Sequence, residues 1–198
     1  MREFILRALK GKTTPDFSLD DLPNAGRMDL VCRCVSNALW ISNDLRRDTI
    51  IHVAMDGPSL PPKIVSFNGL DLKGVRFDER DIAKHIQEAL KRGKPLEINE
   101  EADVSPGIKV AKKSFEALVK EKSKTSQLFY LHKKGGDIRE AELKGDVTFV
   151  FGDYIGMPRN TESLLDRLGA KKLTLGPVML FASHCIIVAH NELDRKIV

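Results

Sequence analysis

Short apolar runs of strand length alternate with segments of helical periodicity along the whole chain, and that alternation constrains the fold more than any other feature. A helix between two strands is what carries a chain back across a sheet whose strands run parallel. Residues 2–9, in which apolar and polar side chains alternate, read as a first strand ended by Gly11-Lys12-Thr13-Thr14-Pro15, and residues 16–26 as a loop. In residues 27–42 (RMDLVCRCVSNALWIS) a stripe of Met28, Val31, Cys32, Val35 and Leu39 predicts a helix, with Asp29, Arg33 and Asn37 at spacing four on a polar stripe. Residues 49–55 (TIIHVAM) are rich in β-branched side chains and predict a buried strand, residues 63–70 another, and the acids from Asp78 to Asp81 open a helix to about Lys91. A basic amphipathic helix is predicted over residues 108–122, capped by Ser105 before Pro106. Strands at 128–132, 146–151 and 172–175 and helices at 161–168, stopped by Gly169, and 182–192 complete the pattern. The expected architecture is α/β with a mostly parallel sheet, as one domain over residues 1–198, a length that buries a core without disulfides or metal.

Cys32, Cys34 and Cys185 are an odd set with no framework of spacings, which points to a reducing compartment and a cytoplasmic protein. Cys32 and Cys34, in a helical pattern with no further His or Cys nearby, lack a tetrahedral set, so buried thiols are expected and no metal. The opening MREFILRALKGK reads as neither secretory signal nor anchor, and the longest apolar stretch, residues 178–189, is too short to span a bilayer. A soluble chain is therefore expected. Residues 145–198 hold six basic and six acidic side chains, so the whole excess of +4 falls in the first 144 residues. That placement suits a neutral small-molecule site near the C-terminus and a polyanion-facing surface elsewhere, and solvated charge accounts for it as well.

Two loops of small residues each follow a predicted strand: Gly152-Asp153-Tyr154-Ile155-Gly156-Met157-Pro158 and Leu175-Gly176-Pro177-Val178. Ligands of open α/β sheets sit at the carboxyl ends of strands, where glycine lets backbone approach a cofactor closely. The first loop has neither the dinucleotide Gly spacing nor a P-loop lysine.

The stretches FVFGDYIGMP and LTLGPVMLFASHCIIVAHNELD resemble the C-terminal signature of the SPOUT methyltransferases. With RMDLVCRCVSNALWIS and FDERD, nearly the whole chain is similar to the archaeal tRNA (pseudouridine-54-N1)-methyltransferases. The resemblance implies a SPOUT-type fold with a C-terminal deep trefoil knot over residues 125–198, a feature that periodicity cannot reveal. It implies S-adenosyl-L-methionine as cofactor, the T-loop of tRNA as substrate and a homodimer packed through the C-terminal helices. It also places Leu131, Gly152 and Gly156 along one side of the cofactor and Leu175, Gly176, Leu180, Phe181, Ala182, Ser183 and Cys185 along the rest.

Methyl transfer to N1 of a pseudouridine requires that ring NH to lose its proton, for which a placed carboxylate is the usual device. Asp29 is the first candidate, followed by Asp78 and Asp153, and both Asp29 and Asp78 would also serve as acids at a helix N-terminus. Arg27, Arg33 and Asn37 are candidates to hold the flipped base and its phosphates, with solvated helix surface as the rival account. Arg46, Arg47, Lys63, Arg76 and Arg80 could meet more distant phosphates, whereas Lys109, Lys112, Lys113, Lys120 and Lys122 read as a solvated face. Cys185 beside His184, with His190 nearby, invites a nucleophile, but neighbours on a helix diverge by about 100°, so a packing or cofactor-wall role is favoured. An rRNA pseudouridine N1-methyltransferase, a non-catalytic RNA-binding module and a cysteine hydrolase are the competing functions.

Overall fold

In the computed structural model, which describes residues 1–197, one sheet gathers strands from both ends of the chain. In chain order the elements are β1 (Arg2–Ala8), α1 (Met28–Leu39), β2 (Trp40–Ile41), β3 (Asp44–Leu45), β4 (Thr49–Met55), β5 (Lys63–Asn68), α2 (Glu79–Arg92), β6 (Glu101–Ser105), β7 (Ile108–Ala111), α3 (Phe115–Lys122), β8 (Gln127–Asp137), β9 (Val147–Gly152), α4 (Arg159–Arg167), β10 (Lys171–Thr174) and α5 (Ala182–Ile197). The sheet runs β10-β8-β9-β1-β4-β5-β7-β6, parallel from β10 to β4 and antiparallel from β4 outward. The expected α/β class with a largely parallel sheet is what the chain adopts.

β1 is buried on both faces, with Phe4, Ile5 and Leu6 wholly enclosed, as a central parallel strand must be. Its polar residues therefore do not mark a solvent face. Each is held at a strand end by a partner: buried Arg2 by the charges of Asp48 and Asp194, buried Glu3 by Lys122 and a hydrogen bond with His52, half-buried Arg7 by Asp56 and Glu116. On one face of the sheet α1 packs against α5 and α2, drawn there by the apolar stripe that defines it. Arg46 and Arg2 both grip Asp194, which fastens α5 to the sheet.

The helix predicted over residues 108–122 is instead β7, the second strand of a β6–β7 hairpin, followed by the short α3. Pro106-Gly107 makes the turn, Gly107 taking a φ of 78° that only glycine adopts cheaply. Burial then alternates at period two through Ile108, Lys109 and Val110. Ser114, not Ser105, caps the helix, its hydroxyl accepting from the Ala117 N–H at 3.1 Å. Lys63 is no surface cation: it is buried and donates to the Gly93 carbonyl, and burial lowers its pKa. Past Leu39 the predicted helix gives way to the β2–β3 hairpin, turned at Asn43 with φ 66°. No helix among the described residues is long and apolar enough to cross a membrane.

Candidate functional site

β8, β9 and β10 run parallel side by side, so their carboxyl ends open on one edge of the sheet. Opposite β10 the register of β8 jumps from Tyr130 to Gly136, which lets Leu131, His132 and Lys133 swing out beside the loops that follow β9 and β10. The three segments enclose a cleft of about 730 Å³, lined by residues 131–133, 151–157 and 173–182 with Leu30, Glu162 and Cys185. That size accommodates a nucleoside-sized ligand, and the walls are mostly apolar.

The loop after β9 folds back on itself. A Cβ on Gly152 would stand 2.6 Å from the Gly156 carbonyl carbon, and Gly156 itself has φ 85°. The Asp153 carboxylate secures the fold-back by accepting from the Leu9 N–H at 3.0 Å and the Ile155 N–H at 2.8 Å. Burial raises the pKa of this carboxyl, and the two amides with Lys10 and Arg27 offset it only in part. In the loop after β10 the Thr174 hydroxyl donates to the Gly176 carbonyl at 2.9 Å. Val178, Met179 and Phe181 then stand exposed on the rim, each more than 70% accessible.

Leu131, Gly152, Gly156, Leu175, Gly176, Leu180, Phe181, Ala182 and Cys185 all line the cleft. Ser183 does not; it is buried, and its carbonyl accepts from the Asn37 side chain at 3.0 Å. Of the three candidate carboxylates only Asp153 reaches the cleft. Asp29 is buried beneath Arg27, which grips it with two hydrogen bonds of 2.9 and 3.0 Å, and Arg33 pairs with it from one turn on. Burial pushes its pKa up, yet Arg27, the Leu30 N–H and Arg33 hold the net value below the usual range, which suits an anchor for the two arginines. Asp78 caps α2, accepting from the Asp81 N–H at 3.0 Å.

Arg27 carries backbone strain at φ 62° and sets its guanidinium 5.1 Å from the centre of the Tyr154 ring, at the mouth of the cleft. Arg33 lies further along α1, also paired to Glu79, and Arg80 is exposed and paired with Asp20. Arg46 is tied to Asp194, which leaves Arg47 and Arg76 as the more exposed of the other predicted cations. His132 and Glu162, 3.9 Å apart across the cleft wall, had no signal in the sequence because they meet only when β8 and α4 are folded together.

The cysteines are thiols, not thiolates. Burial pushes Cys185 up to about 11 and raises Cys32 and Cys34 further. His184 turns its ring edge-on to Phe181 at 5.4 Å, and His190 is held by the Ala38 carbonyl at 2.9 Å, so neither serves Cys185. At pH 8 a thiol of this pKa is about 0.1% ionised against about a quarter for an ordinary one. Iodoacetamide labelling followed by mass spectrometry is therefore expected to modify Cys185 about two hundredfold more slowly than free cysteine, and Cys32 and Cys34 only on unfolding. Labelling of Cys185 at the rate of free cysteine would restore the nucleophile.

The family model described as "Putative SAM-dependent RNA methyltransferase" matches residues 1–198. The chain is 42% identical to the tRNA (pseudouridine(54)-N(1))-methyltransferase of Methanocaldococcus jannaschii, covering 99% of this chain and 98% of that one. It is 41% identical to the enzyme of the same name from Methanocella arvoryzae, covering 99% and 100%. Its fold is similar to that in the crystal structure of Archaeoglobus fulgidus Nep1 bound to S-adenosylhomocysteine, with a TM-score of 0.62, 15% identity and coverage of 98% and 96%.

Proposed function

The chain belongs to the S-adenosylmethionine-dependent RNA methyltransferase family, and from that membership we propose that it methylates N1 of pseudouridine 54 in the T-loop of tRNA. The observation that carries the choice of substrate is the full-length likeness to relatives that share this one name at 41 to 42% identity.

The residues present fit the cofactor. The cleft has the volume, glycine where the β9 loop crowds its own backbone, and apolar walls from Leu131, Leu175 and Leu180 for a flat adenine. Bound there, S-adenosylmethionine supplies an electrophilic methyl carbon. Asp153, the one candidate carboxylate on the cleft and one whose burial raises its proton affinity, is our choice to accept the N1 proton. Arg27, steadied by Asp29 and lying over Tyr154, is placed to meet the RNA backbone at the cleft mouth.

The same reading makes the chain one domain whose segment 125–198 is a deep trefoil knot, acting in the cytoplasm as a homodimer. Convergence of three C-terminal segments on one cleft supports the knot, and the exposed Val178, Met179, Phe181 and Ile187 support a face buried by a second copy.

The test is calorimetry with S-adenosylmethionine and methylation of a tRNA T-arm carrying pseudouridine at position 54, on protein whose mass in solution is known. Micromolar cofactor binding, lost in Leu180→Asp, and methyl incorporation at N1 are expected. Asp153→Asn should lower kcat at least tenfold at saturating cofactor, and because it also breaks one of the two amide bonds that hold the β9 loop it should raise the cofactor Kd as well. Absence of binding at millimolar cofactor sinks the methyltransferase; binding without transfer to the T-arm, but with transfer to an rRNA fragment, moves the substrate to rRNA. A solution mass of one 22.2 kDa chain removes the dimer.

A further inference from the structure

The polar stripe of α1 does not end at the cofactor cleft. From Arg27, Asp29 and Arg33 it continues through Ser36 and Asn37 to Trp40, where it enters a second hollow of about 630 Å³. The β2–β3 hairpin forms one wall of this hollow, with Ile41, Ser42, Asn43, Asp44 and Leu45, and Phe77 comes in from the segment before α2. Nothing in the proposed methyl transfer uses it.

We propose that this hollow is a subsite for an unstacked nucleobase of the tRNA, a nucleotide other than the one methylated. The proposal rests on the tRNA reading and extends it. Phe77 is 67% exposed, an unusual placement for a phenylalanine, and Trp40 lines the same hollow. Aromatic faces of this kind are what single-stranded bases stack on, and they tolerate any base because every base has a π-face. Around them stand the amides of Asn37 and Asn43 and the hydroxyls of Ser36 and Ser42, which can both donate to and accept from a base edge.

Charge separates the base from the phosphate as occupant. Arg47 is the cation of the hollow, and it is engaged by Asp44 at 3.5 Å and by the Gly69 carbonyl at 3.2 Å. With that pair balanced, the hollow suits a neutral heterocycle. Back along the stripe Arg27 and Arg33 share the one carboxylate of Asp29, Arg33 also meeting Glu79 at 3.5 Å, and the remaining N–H groups of these two half-exposed guanidiniums are where phosphates between the two nucleotides would run. Asn37 couples the two sites physically: its side chain lines the hollow and donates to the Ser183 carbonyl, next to Ala182 in the cofactor cleft.

Trp40 is the only tryptophan of the chain and therefore a built-in reporter. Titrating the cofactor-loaded protein with a T-arm stem-loop is expected to quench tryptophan emission saturably, with the same midpoint as binding followed by anisotropy of a labelled RNA. Phe77→Ala, an exposed change, should weaken RNA binding about tenfold and reduce the quench, leave cofactor affinity within twofold, and be restored by Phe77→Tyr. The proposal is overturned if the RNA binds with no change in Trp40 emission, or if Phe77→Ala binds it as tightly as the parent chain. It is overturned equally if emission follows protein concentration and not RNA, which would assign the hollow to a second copy. A chain that binds S-adenosylmethionine and no tRNA loses the substrate reading and this subsite together, whereas methylation of the T-arm by both parent and variant with equal RNA affinity removes the subsite alone.

Discussion

Replacing Gly152 by alanine is expected to weaken S-adenosylmethionine binding at least a hundredfold while leaving the fold intact. The single added carbon would lie 2.6 Å from the Gly156 carbonyl carbon, 2.8 Å from its oxygen and 3.0 Å from the Met157 nitrogen. All three are backbone, so no side chain can turn away to make room. The loop has to open, and opening it pulls against the Asp153 bonds to Leu9 and Ile155 and the Gly156 N–H bond to the Asp153 carbonyl at 3.0 Å. A hundredfold corresponds to about 2.7 kcal/mol, well within what a displaced wall of a ligand pocket costs. The stability loss should be smaller, about 1 kcal/mol, because the loop lies beyond the carboxyl ends of the strands and the packed face between α1 and α5 is untouched. Gly136→Ala is the matched control: its Cβ would meet nothing within 4 Å, and cofactor affinity should stay within twofold. Calorimetric Kd values and thermal melts on the pair decide the matter. Binding by Gly152→Ala within threefold of the parent would show that the cofactor does not lean on this loop.

The elements that could be read from the sequence are those whose pattern had a local cause. α1 shows its apolar stripe, α2 its acidic first turn and Asp78 cap, and β4 its β-branched run, and each forms close to where it is predicted. The error at residues 108–122 has a local cause too. Ile108, Val110 and Ala111 fit a helix of period 3.6 about as well as a strand of period 2, and lysines on either side look like a helix's polar face. What decides for a strand is tertiary: β5 offers an open edge, against which Ile64, Val65 and Ser66 pair with Ala111, Val110 and Lys109. Lys63 departs from the expected surface cation for a related reason: a charge in sequence says nothing about the carbonyl waiting for it, here that of Gly93.

At the site, the loops at Gly152 and Gly176 were legible as small residues after strands, and their neighbours in the cleft came through family resemblance. The roles of the three aspartates were not legible. Asp29, Asp78 and Asp153 look alike in a string of letters and differ only in what surrounds them: two guanidiniums, a helix N-terminus, and two loop amides in a buried wall. The second hollow was hidden for the same reason, since Trp40 and Phe77 are brought together only when the β2–β3 hairpin and the segment before α2 meet.

Glu3→Gln is expected to cost about 3 kcal/mol of stability at pH 7 and progressively less as the solution is acidified. Glu3 lies in the central strand, its carboxylate 2.8 Å from His52 Nε2 and 2.6 Å from Lys122 Nζ. Burial alone would raise its pKa, but the hydrogen bonds of His52 and Lys122 and the charge of Lys122 outweigh burial and bring it down to about 2 from 4.5. A carboxyl depressed on folding stabilises the native state above its unfolded value, and that contribution disappears as pH falls from about 4.5 toward 2. A shift of this size is worth about 3 kcal/mol, at 1.36 kcal/mol per unit. His52 acts in the same direction from a higher pH. Burial lowers its pKa, so the unfolded chain takes up a proton below about 6.5 that the folded chain refuses. Urea unfolding followed at pH 7, 5 and 4 should therefore show the parent chain losing stability first through His52 and then through Glu3, with the gap between parent and Glu3→Gln closing in the second interval. A gap that stays constant with pH would mean that the variant loses packing or leaves Lys122 without a partner, and that the carboxylate's charge contributes nothing to the fold.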